Sequence, residues 1–473
     1  MASEIASKEL PAPKPDLPRN LEDIDYDSYR SIRFRPSQAL WWNEPSKFRV
    51  EFFHMGKLYN RSVNINEITD THHQKIPFMQ ENFNYEKSTY KPNFFSKPRG
   101  YAGIRVLYPL HKSDIYDEVL VFLGASYFRA LGATQVWGLS GRALTQNTIN
   151  GRERFPFFRE FWLKKPDLDS NQLTILALLH GENVSGAYEF TLSPGETTTI
   201  DVLAQIYFWK GAGSRAGFAP LTSMFYFGEN TIDKPADWRP EVHDSDGLLI
   251  HESNSWIWRP LSNPAQPVVN QFKVKELHGF GLMQRDRLFK NYEDLEAEYH
   301  HRPSAWVTPG EVWPEGSVIL YTFPTTNEIV DNVNAFWTPE QAPASKKPYR
   351  IQYTVEMRKT DPESDLARIL DTHIGSKTLE EETTSFVIDI ERISQGSAIN
   401  ISSYTVDFEA SGATVITTPR IIFNEPENCF RVLIDLKSPK IEDSSKLNGF
   451  DLALKLKKDA KPYSETWSYT WTP

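Results

Sequence analysis

The sequence predicts a mainly β protein, and two observations carry that prediction. From about Tyr26 the 473-residue chain consists of short apolar alternations broken by proline, glycine and asparagine, and long helical periodicity is scarce. Residues 349–358 alternate apolar and polar side chains without a break, which is typical of an antiparallel strand with one wet face. Further strand candidates are residues 203–210, 431–437 and 451–457. The helical candidates are residues 113–130, as a turn before a strand, and residues 291–301.

A proline-rich segment divides the predicted strands into two domains. Residues 338–348 contain three prolines, two lysines and few apolar residues, so they predict a linker. The strands of residues 348–473 are short and regularly spaced, as in an immunoglobulin-like sandwich. Residues 23–340 are too long for a small sandwich, so we expect a large β-sandwich with inserted helices. Residues 1–22 are rich in proline and charge and predict a disordered tail.

Composition indicates a globular protein and excludes some partners. Hydrophobic residues make up 40% of the chain and charged residues 24%, which is ordinary for a soluble domain. The aromatic share of 13% suits stacking on sugar rings, and it equally suits the filling of β-sheet cores. A net charge of −10 would repel a phosphate backbone, so we expect no nucleic acid partner. A neutral polysaccharide is compatible with this charge.

Cysteine use and the N-terminus leave the compartment open. Cys429 is the one cysteine, so no intrachain disulfide forms, and we expect a buried core thiol. That is consistent with the cytoplasm and with a periplasmic protein that lacks disulfides. No apolar run approaches the ~20 residues needed to span a bilayer. Residues 1–8 lack the apolar stretch of a signal peptide, so we expect either a cytoplasmic protein or one whose leader was removed.

Sequence motifs for cofactors and metals are missing. No glycine-rich phosphate loop, dinucleotide fingerprint or H-E-x-x-H pattern occurs in the required context. The histidine doublets His72-His73 and His300-His301 would point to opposite faces of a strand. We therefore expect neither a metal nor a cofactor.

Carboxylates are concentrated in the segment RPEVHDSDGLLI. It places His243, Asp244 and Asp246 within four residues, and in an extended chain Asp244 and Asp246 would share one face. Two like charges held together raise at least one pKa, which prepares a group for acid–base chemistry. The alternative is an Asx-turn that ends at Gly247. Both interpretations stay open from the residues alone.

Three further groups have two interpretations each. Trp256 and Trp258 are spaced to share a strand face, as a sugar platform or as core. Arg285 lies in a charged knot, QRDR, which is a site or an ion-pair network. Glu328 and Asp331 precede a strand-like end, and a polar loop is the default interpretation there. Glycoside hydrolysis needs an acid and a base, but the sequence alone does not pair these carboxylates.

Several segments, read in order, resemble the periplasmic glucan biosynthesis G/D family. The similarity covers most of residues 23–340 and touches the C-terminus, and the combination is specific although each piece alone would be weak. The segments are DYDSYRSIRFRPSQALW, GYAGIRVLYPL, FLGASYFRALG, FPFFREFWL, PLTSMFYFGEN, RPEVHDSDGLLI, WIWRPLSNP, GFGLMQRDR, YEDLEAEYHHRPSAWV, VDNVNAFW and SETWSYTW.

The resemblance implies a fold, a compartment and an activity. It implies a large N-terminal β-sandwich followed by a smaller immunoglobulin-like domain, in the periplasm. It also implies work on osmoregulated periplasmic glucans, whose backbone is β-1,2-linked glucose. Family members are similar to inverting endo-β-1,2-glucanases, a class of glycoside hydrolase, and some transfer the cut chain to make a cyclic glucan.

The resemblance also assigns residues. Asp331 in VDNVNAFW matches the general acid, Asp244 in VHDSDG matches the base, and Asp246 is the alternative to Asp244. The predicted substrate-binding residues are Asp246, His243, Tyr127, Arg129, Trp137, Trp256, Trp258, Arg259, Arg285 and Arg302.

Four hypotheses follow from the sequence. The leading one is a β-1,2-glucan-cleaving enzyme, and the second is a non-catalytic glucan-binding scaffold for a membrane glucosyltransferase. The third is a transglycosylase that forms cyclic glucan, and the fourth is a sugar-binding protein of another specificity. Oligomeric state is not visible in the sequence, which leaves a homodimer open.

Overall fold

A computed structural model of the chain describes residues 1–92, 98–149, 151–376, 383–393, 399–412, 414–437 and 449–471. It is 50% strand and 8% helix, so the predicted mainly β fold class is confirmed. The sandwich arrangement is consistent with this composition and stays an expectation.

Helices are short. They are α1 (Ala2–Ser7), α2 (Tyr26–Ser31) and α3 (Phe289–Tyr292). The side chain of Asp25 caps α2 by accepting from the N–H of Ser28 at 2.8 Å. Within the described ranges, no helix has the length and apolar character needed to cross a membrane.

The chain divides into two compact units. Unit 1 contains residues 1–221, 305–317 and 336–359, and unit 2 contains residues 222–304, 318–335 and those from 360 on. The predicted division into residues 1–22, 23–340 and 348–473 has boundaries that differ from those of the two units. Their separation into independent domains stays a prediction.

Most strands of unit 1 fall into two families, and each family pairs within one sheet. Its strands are β1 (Arg33–Phe34), β2 (Arg49–Phe53), β3 (Asn64–Ile68), β4 (His73–Ile76), β5 (Phe83–Asn84), β6 (Gly103–Lys112), β7 (Ile115–Leu123), β8 (Tyr127–Ala130), β9 (Ser140–Arg142), β10 (Leu144–Gln146), β11 (Phe157–Lys164), β12 (Leu173–Gly181), β13 (Val184–Ser193), β14 (Thr198–Phe208) and β25 (Tyr349–Arg358). One family runs in the order β2-β6-β7-β8-β9, and the other runs β4-β3-β11-β12-β13-β14-β25.

The core of unit 1 follows from strand alternation. β25 is the strand predicted from residues 349–358, and its buried positions alternate with wetter ones. It pairs with β14, where Ile200 lies opposite Val355. Phenylalanine rings from β7, β11 and β13 pack at centroid distances near 5 Å, among them Phe122 and Phe190 at 5.1 Å. Burial of such apolar side chains contributes ~1.5–3 kcal/mol each and holds the strands together.

Unit 2 contains the remaining strands. They are β16 (Phe225–Phe227), β17 (Val242–His243), β18 (Gly247–Glu252), β19 (Ser255–Pro260), β20 (Val268–Val274), β21 (Leu277–Met283), β26 (Ile369–Ser376), β27 (Thr383–Ile390), β28 (Tyr404–Ser411), β29 (Thr414–Val415), β30 (Arg420–Asn424), β31 (Cys429–Lys437), β32 (Phe450–Lys458) and β33 (Lys461–Trp471). A unit boundary falls within each of β15 (Ala216–Ser223), β22 (Ser304–Pro309), β23 (Gly316–Thr322) and β24 (Val333–Pro339).

Strand pairing in unit 2 fixes the segment of residues 242–247. β16 pairs with β17, β18 lies between β19 and β21, and β19 pairs in parallel with β33. Strand β18 packs so closely against Trp258 of β19 that position 247 requires glycine. A Cβ there would lie 2.4 Å from the ring of Trp258. Residues 244–246, which connect β17 to β18, are therefore fixed at both ends by strand pairing.

The strand expected within residues 113–130 is present, but neither helical prediction was right. Residues 113–130 form the β7–β8 pair, because Ile115–Leu123 carries the β-branched and aromatic residues that favour a strand. Residues 291–301 contain only the end of α3 and one 3₁₀ turn. Glu293 and Glu298 adopt left-handed backbone conformations with φ of 55° and 46°, which end helical continuity.

Candidate functional site

The segment around β17 carries the histidine and aspartates singled out in the sequence. His243 lies opposite Phe225 of β16, and the two rings stack with centroids 5.1 Å apart. Asp244 follows directly and is 4% exposed, and its N–H donates to the carbonyl of Met224 at 2.8 Å. Both residues are thus fixed against the Met224–Phe225 segment.

A partly buried ion pair holds the carboxylate of Asp244. Arg302 donates from Nη1 to Oδ1 of Asp244. The guanidinium of Arg302 also lies 4.2 Å from the ring centroid of Tyr299, and its Nε donates to the carbonyl of Ala297 at 3.3 Å. A charge-assisted bond to a guanidinium that is itself stacked and bonded fixes the orientation of the carboxylate.

The loop between β23 and β24 carries Asp331, which is half-buried. Its neighbour Asn332 is fully buried and bonds to both main-chain groups of Phe225. Asn332 Nδ2 donates to the carbonyl of Phe225 at 3.0 Å, and Asn332 Oδ1 accepts from the N–H of Phe225 at 2.9 Å. The segments that carry Asp331 and Asp244 are therefore both anchored to Met224–Phe225.

Glu328 links the same loop to a second group of charges. The hydroxyl of Tyr299 donates to Oε2 of Glu328 at 2.6 Å. Arg239 Nη1 lies 2.7 Å from Oε2 of Glu328 and 2.9 Å from Oδ2 of Asp294. These contacts connect the Asp331 loop, through Tyr299, to the arginine that holds Asp244.

A cleft of about 660 Å³ in unit 2 is bordered by this network. Asp244 contacts Arg302, which lines this cleft. Asp331 follows three residues after Glu328, which also lines it. Its rim contains Trp238, which is 72% exposed, and Leu295, which is 84% exposed. The lining residues are Trp238, Arg239, Glu293, Asp294, Leu295, Glu296, Ala297, Tyr299, Arg302 and Glu328.

A second, deeper group surrounds His243. Its Nε2 lies 2.9 Å from Oε2 of Glu241, and its Nδ1 lies 3.2 Å from Oε1 of Gln284 and 3.5 Å from Oδ1 of Asp246. Burial alone would lower the pKa of His243, but the bond to Glu241 and the neighbouring carboxylates outweigh it and raise that pKa to about 9. Burial raises the pKa of Asp246 to about 7, against the opposing charge of His243. Burial and Glu241 raise the pKa of Glu229 well above its usual range.

Asp246 has main-chain partners. Its Oδ2 accepts from the N–H groups of Arg285 and Asp286, the latter at 2.8 Å. Its own N–H donates to the carbonyl of Met283 at 2.8 Å. Asp246 therefore closes the end of β21 against β18, whereas Asp244 faces Arg302 at the cleft.

Three of the predicted substrate-binding residues lie in unit 1. The Arg142 guanidinium lies 4.6 Å from the ring centroid of Tyr127, and Arg129 donates from Nε to the hydroxyl of Ser140 at 2.7 Å. Trp137 is half-buried. Their contact with a glucan stays a prediction.

Four others lie in the interior of unit 2. Trp256 is 8% exposed and stacks on His251 at 4.0 Å between centroids, and Trp258 is 3% exposed. Arg285 lies 3.6 Å over the ring of Trp258, and Arg259 donates to Asn270 at 3.1 Å. Their burial supports packing and ion-pair roles, and glucan contact stays a prediction for each.

Some residues of the cleft were not predicted from the sequence. Trp238, Arg239, Asp294 and Tyr299 were not candidates, and Glu328 was expected in a plain polar loop. Only the exposure of Trp238 separates it from the buried tryptophans, and exposure is a tertiary property. Arg239 forms ion pairs with carboxylates at positions 237, 294 and 328. Because two of these positions are distant in the sequence, no local pattern identifies Arg239 as a residue of the cleft.

Known proteins match this chain over almost its whole length. A family model described as "Periplasmic glucan biosynthesis protein, MdoG" matches residues 1–471. A "Glucans biosynthesis protein G" from Ralstonia nicotianae is 38% identical over 486 residues, which cover 100% of this chain and 94% of that protein.

Proposed function

Because the chain belongs to the periplasmic glucan biosynthesis protein family, we propose that it is a periplasmic, inverting, endo-acting glycoside hydrolase that cleaves β-1,2-glucan. Asp331 is the general acid and Asp244 is the general base. The observation that carries the proposal is the anchoring of both carboxylate segments to Met224–Phe225, beside a cleft with an exposed tryptophan.

The two carboxyl groups divide the work of hydrolysis. Asp331, protonated, gives its proton to the glycosidic oxygen as the bond from that oxygen to C1 breaks. Asp244, ionised, takes a proton from water as the water oxygen bonds to C1 from the opposite face. The products are two shorter chains, one with inverted configuration at its new reducing end.

The surrounding groups suit a polar chain with flat sugar faces. Arg302 supports the base role of Asp244 because its bond orients the carboxylate. Trp238 offers an exposed indole for a pyranose ring, and Glu328, Asp294 and Arg239 offer acceptors and donors for hydroxyl groups. A membrane glucosyltransferase would supply the glucan.

The test is incubation of the protein with linear β-1,2-glucan, with product masses read by mass spectrometry. We expect shorter linear chains whose mass includes one added water, and proton NMR at early times should show the inverted anomer. Asp331→Asn and Asp244→Asn should each keep the fold by circular dichroism and lose the activity. The control is Asp365→Asn, because Asp365 is an exposed carboxylate of unit 2 outside the cleft lining.

Other outcomes would favour the other hypotheses. Products that lack the added water and are cyclic would indicate transglycosylation, with a sugar hydroxyl in the place of water. Tight glucan binding without any product, unchanged in both variants, would contradict hydrolysis and support a scaffold for a glucosyltransferase. Cleavage of other β-glucans in preference to β-1,2 chains would contradict the proposed linkage.

A further inference from the structure

His243 adjoins both segments that carry the proposed catalytic carboxylates. It directly precedes Asp244 in the chain, and its ring stacks on the ring of Phe225 with an interplanar angle of 12°. The main chain of Phe225 is also the anchor of Asn332, the residue that follows Asp331. One side chain, 0% exposed, therefore contacts the point at which the two segments meet.

The amide of Gln284 next to this ring has one orientation. Its Nε2 lies 3.1 Å from the main-chain carbonyl of Tyr299 and 2.9 Å from the hydroxyl of Tyr292. A carbonyl oxygen only accepts, so the amide nitrogen and not the amide oxygen faces it. Oε1 of Gln284 consequently faces Nδ1 of His243, at 3.2 Å, and is an acceptor.

Both nitrogens of the His243 ring face acceptors. Nδ1 faces Oε1 of Gln284, and Nε2 lies 2.9 Å from Oε2 of Glu241. A neutral imidazole has one N–H and satisfies one of these acceptors, whereas the imidazolium donates to both. The hydrogen-bond geometry therefore requires a protonated ring, in agreement with the raised pKa of His243.

We propose that His243, as an imidazolium, is a positioning residue for hydrolysis, which holds the Asp244 segment between Phe225 and Gln284. This inference rests on the proposed function. Because its side chain is 0% exposed, His243 acts through Asp244 and not by contact with the glucan. That role differs from the substrate-binding role expected from the resemblance.

Gln284 extends the effect of the ring to the arginine that pairs with Asp244. Gln284 donates to the carbonyl of Tyr299, and the Tyr299 ring centroid lies 4.2 Å from the guanidinium of Arg302. Arg302 in turn donates to the carboxylate of Asp244. His243 thus supports Asp244 both through the main chain and through its ion-pair partner.

Loss of the proton from His243 would remove one of its two donors. The lone pair left on that nitrogen would then face an oxygen lone pair, and their repulsion turns the ring away from its stack on Phe225. The titratable groups that face the ring are Glu241, Glu229, Asp246, Asp286 and Tyr292. The carboxylates among them favour the proton, so the positioning is present below pH 9 and is lost as the pH rises through about 9.

The first measurement compares kcat and KM on linear β-1,2-glucan. His243→Gln should lower kcat about 10- to 100-fold, because the base is displaced, and should leave KM within about 2-fold, because glucan contacts are kept. The control is His278→Gln, at an exposed histidine, which should match the wild type. Unchanged kcat in His243→Gln, beside a wild type that cleaves, would overturn the positioning role. A wild type that does not cleave would overturn the proposed function itself.

The second measurement separates positioning from a purely structural role by its pH dependence. In the Asp331→Asn background, a nitrophenyl β-1,2-gluco-oligosaccharide needs no general acid, because nitrophenolate leaves without a proton. Between pH 7 and pH 10, kcat should fall with a midpoint near the pKa of His243, about 9. Glu241→Gln removes the charge that favours the proton and should move this midpoint down by ~1–3 pH units. The same midpoint with and without Glu241→Gln would overturn the proposal.

The protonation state of His243 can also be read without activity. In ¹⁵N spectra of protein with labelled histidine, the His243 signals are those lost in His243→Gln. They should show two N–H groups at pH 7 and change near pH 9. A ring with one N–H at pH 7 would contradict the inference whether or not the protein cleaves glucan. If His243→Gln does not fold, the midpoint in Glu241→Gln still decides it.

Discussion

Arg302 donates from Nη1 to the carboxylate of Asp244 while its guanidinium lies 4.2 Å from the ring centroid of Tyr299. The hydroxyl of Tyr299 in turn donates to Glu328, three residues before Asp331. The two carboxylates proposed as base and acid are thus linked by one arginine, one tyrosine and one glutamate. Replacing any of these three linking residues should alter the relative position of the two carboxylates.

Replacing Arg302 by alanine should lower kcat/KM on β-1,2-glucan about 100-fold, because a misplacement of ~1 Å of a reacting group has an effect of that size. The free energy of unfolding should also fall by ~1–3 kcal/mol, since Asp244 stays buried without this partner. Steady-state kinetics and urea unfolding measure the two effects. Arg368→Ala is the control, because Arg368 pairs with Glu391 at the surface, where such a pair contributes ~0–1 kcal/mol. Unchanged kinetics in Arg302→Ala would contradict the orienting role.

Trp238 is expected to act on affinity and not on stability. An aromatic contact contributes ~0.5–1.5 kcal/mol, so Trp238→Ala should raise the Kd for β-1,2-gluco-oligosaccharides about 2- to 12-fold. Because the side chain is 72% exposed, unfolding should change by less than ~0.5 kcal/mol. Calorimetry in the Asp331→Asn background avoids turnover during the titration. Trp238→Phe should bind nearly as wild type, and an alanine variant that binds as tightly would exclude a sugar platform at this position.

Arg285 is expected to act on stability and not on affinity. Its Nη2 lies 2.7 Å from Oε1 of Glu465 and its Nε lies 2.7 Å from Oδ2 of Asp361, all three side chains being less than 10% exposed. Arg285→Met should lower the free energy of unfolding by ~3–5 kcal/mol, because two buried carboxylates lose their cation. Urea unfolding gives the difference. A variant with wild-type stability and weaker glucan binding would instead support the substrate-binding role expected from the resemblance.

His54 predicts a loss of stability in acid. It is 3% exposed, its Nδ1 donates to the carbonyl of Met55 at 2.6 Å, and burial lowers its pKa to about 4. The unfolded chain has a histidine pKa of ~6.5, so between these values the unfolded state binds more protons. The contribution is fully present above pH ~6.5 and is lost as the pH falls towards 4, by ~3 kcal/mol in total.

The measurement is urea unfolding from pH 7 to pH 4. His54→Phe should fit the ring contacts with Phe78 and Phe83 and should flatten this pH dependence. His278→Gln, at an exposed histidine, should keep the wild-type dependence. Identical slopes for wild type and His54→Phe would show that the histidine is not kept neutral by folding.

Local patterns predicted the strands well and the helices poorly. Residues 349–358 became β25 because alternation reports a strand with one buried face directly. Residues 291–301 have helix-favouring composition, yet Glu293 and Glu298 take left-handed conformations and Tyr292 and Tyr299 are buried side by side. Tertiary packing overrides a weak helical propensity in so short a segment.

The sequence singled out the segments of Asp244 and Asp331, but not the contacts that these segments make. The motif VHDSDG holds two aspartates of equal appearance, and only the fold gives Asp244 a guanidinium partner and Asp246 two main-chain N–H partners. Trp256 and Trp238 cannot be told apart in the sequence either. Their different exposure depends on strands that are distant in the chain.

Asn332 has a wider consequence for how the loop before it can vary. By pairing with both the N–H and the C=O of Phe225, its amide imitates the two-bond pairing of a neighbouring strand residue. The point at which the loop rejoins the sheet is thereby fixed by the pairing of Asn332 with Phe225. Substitutions at the exposed Ile329 and Val330 should therefore leave Asp331, one residue before the anchor, in its place.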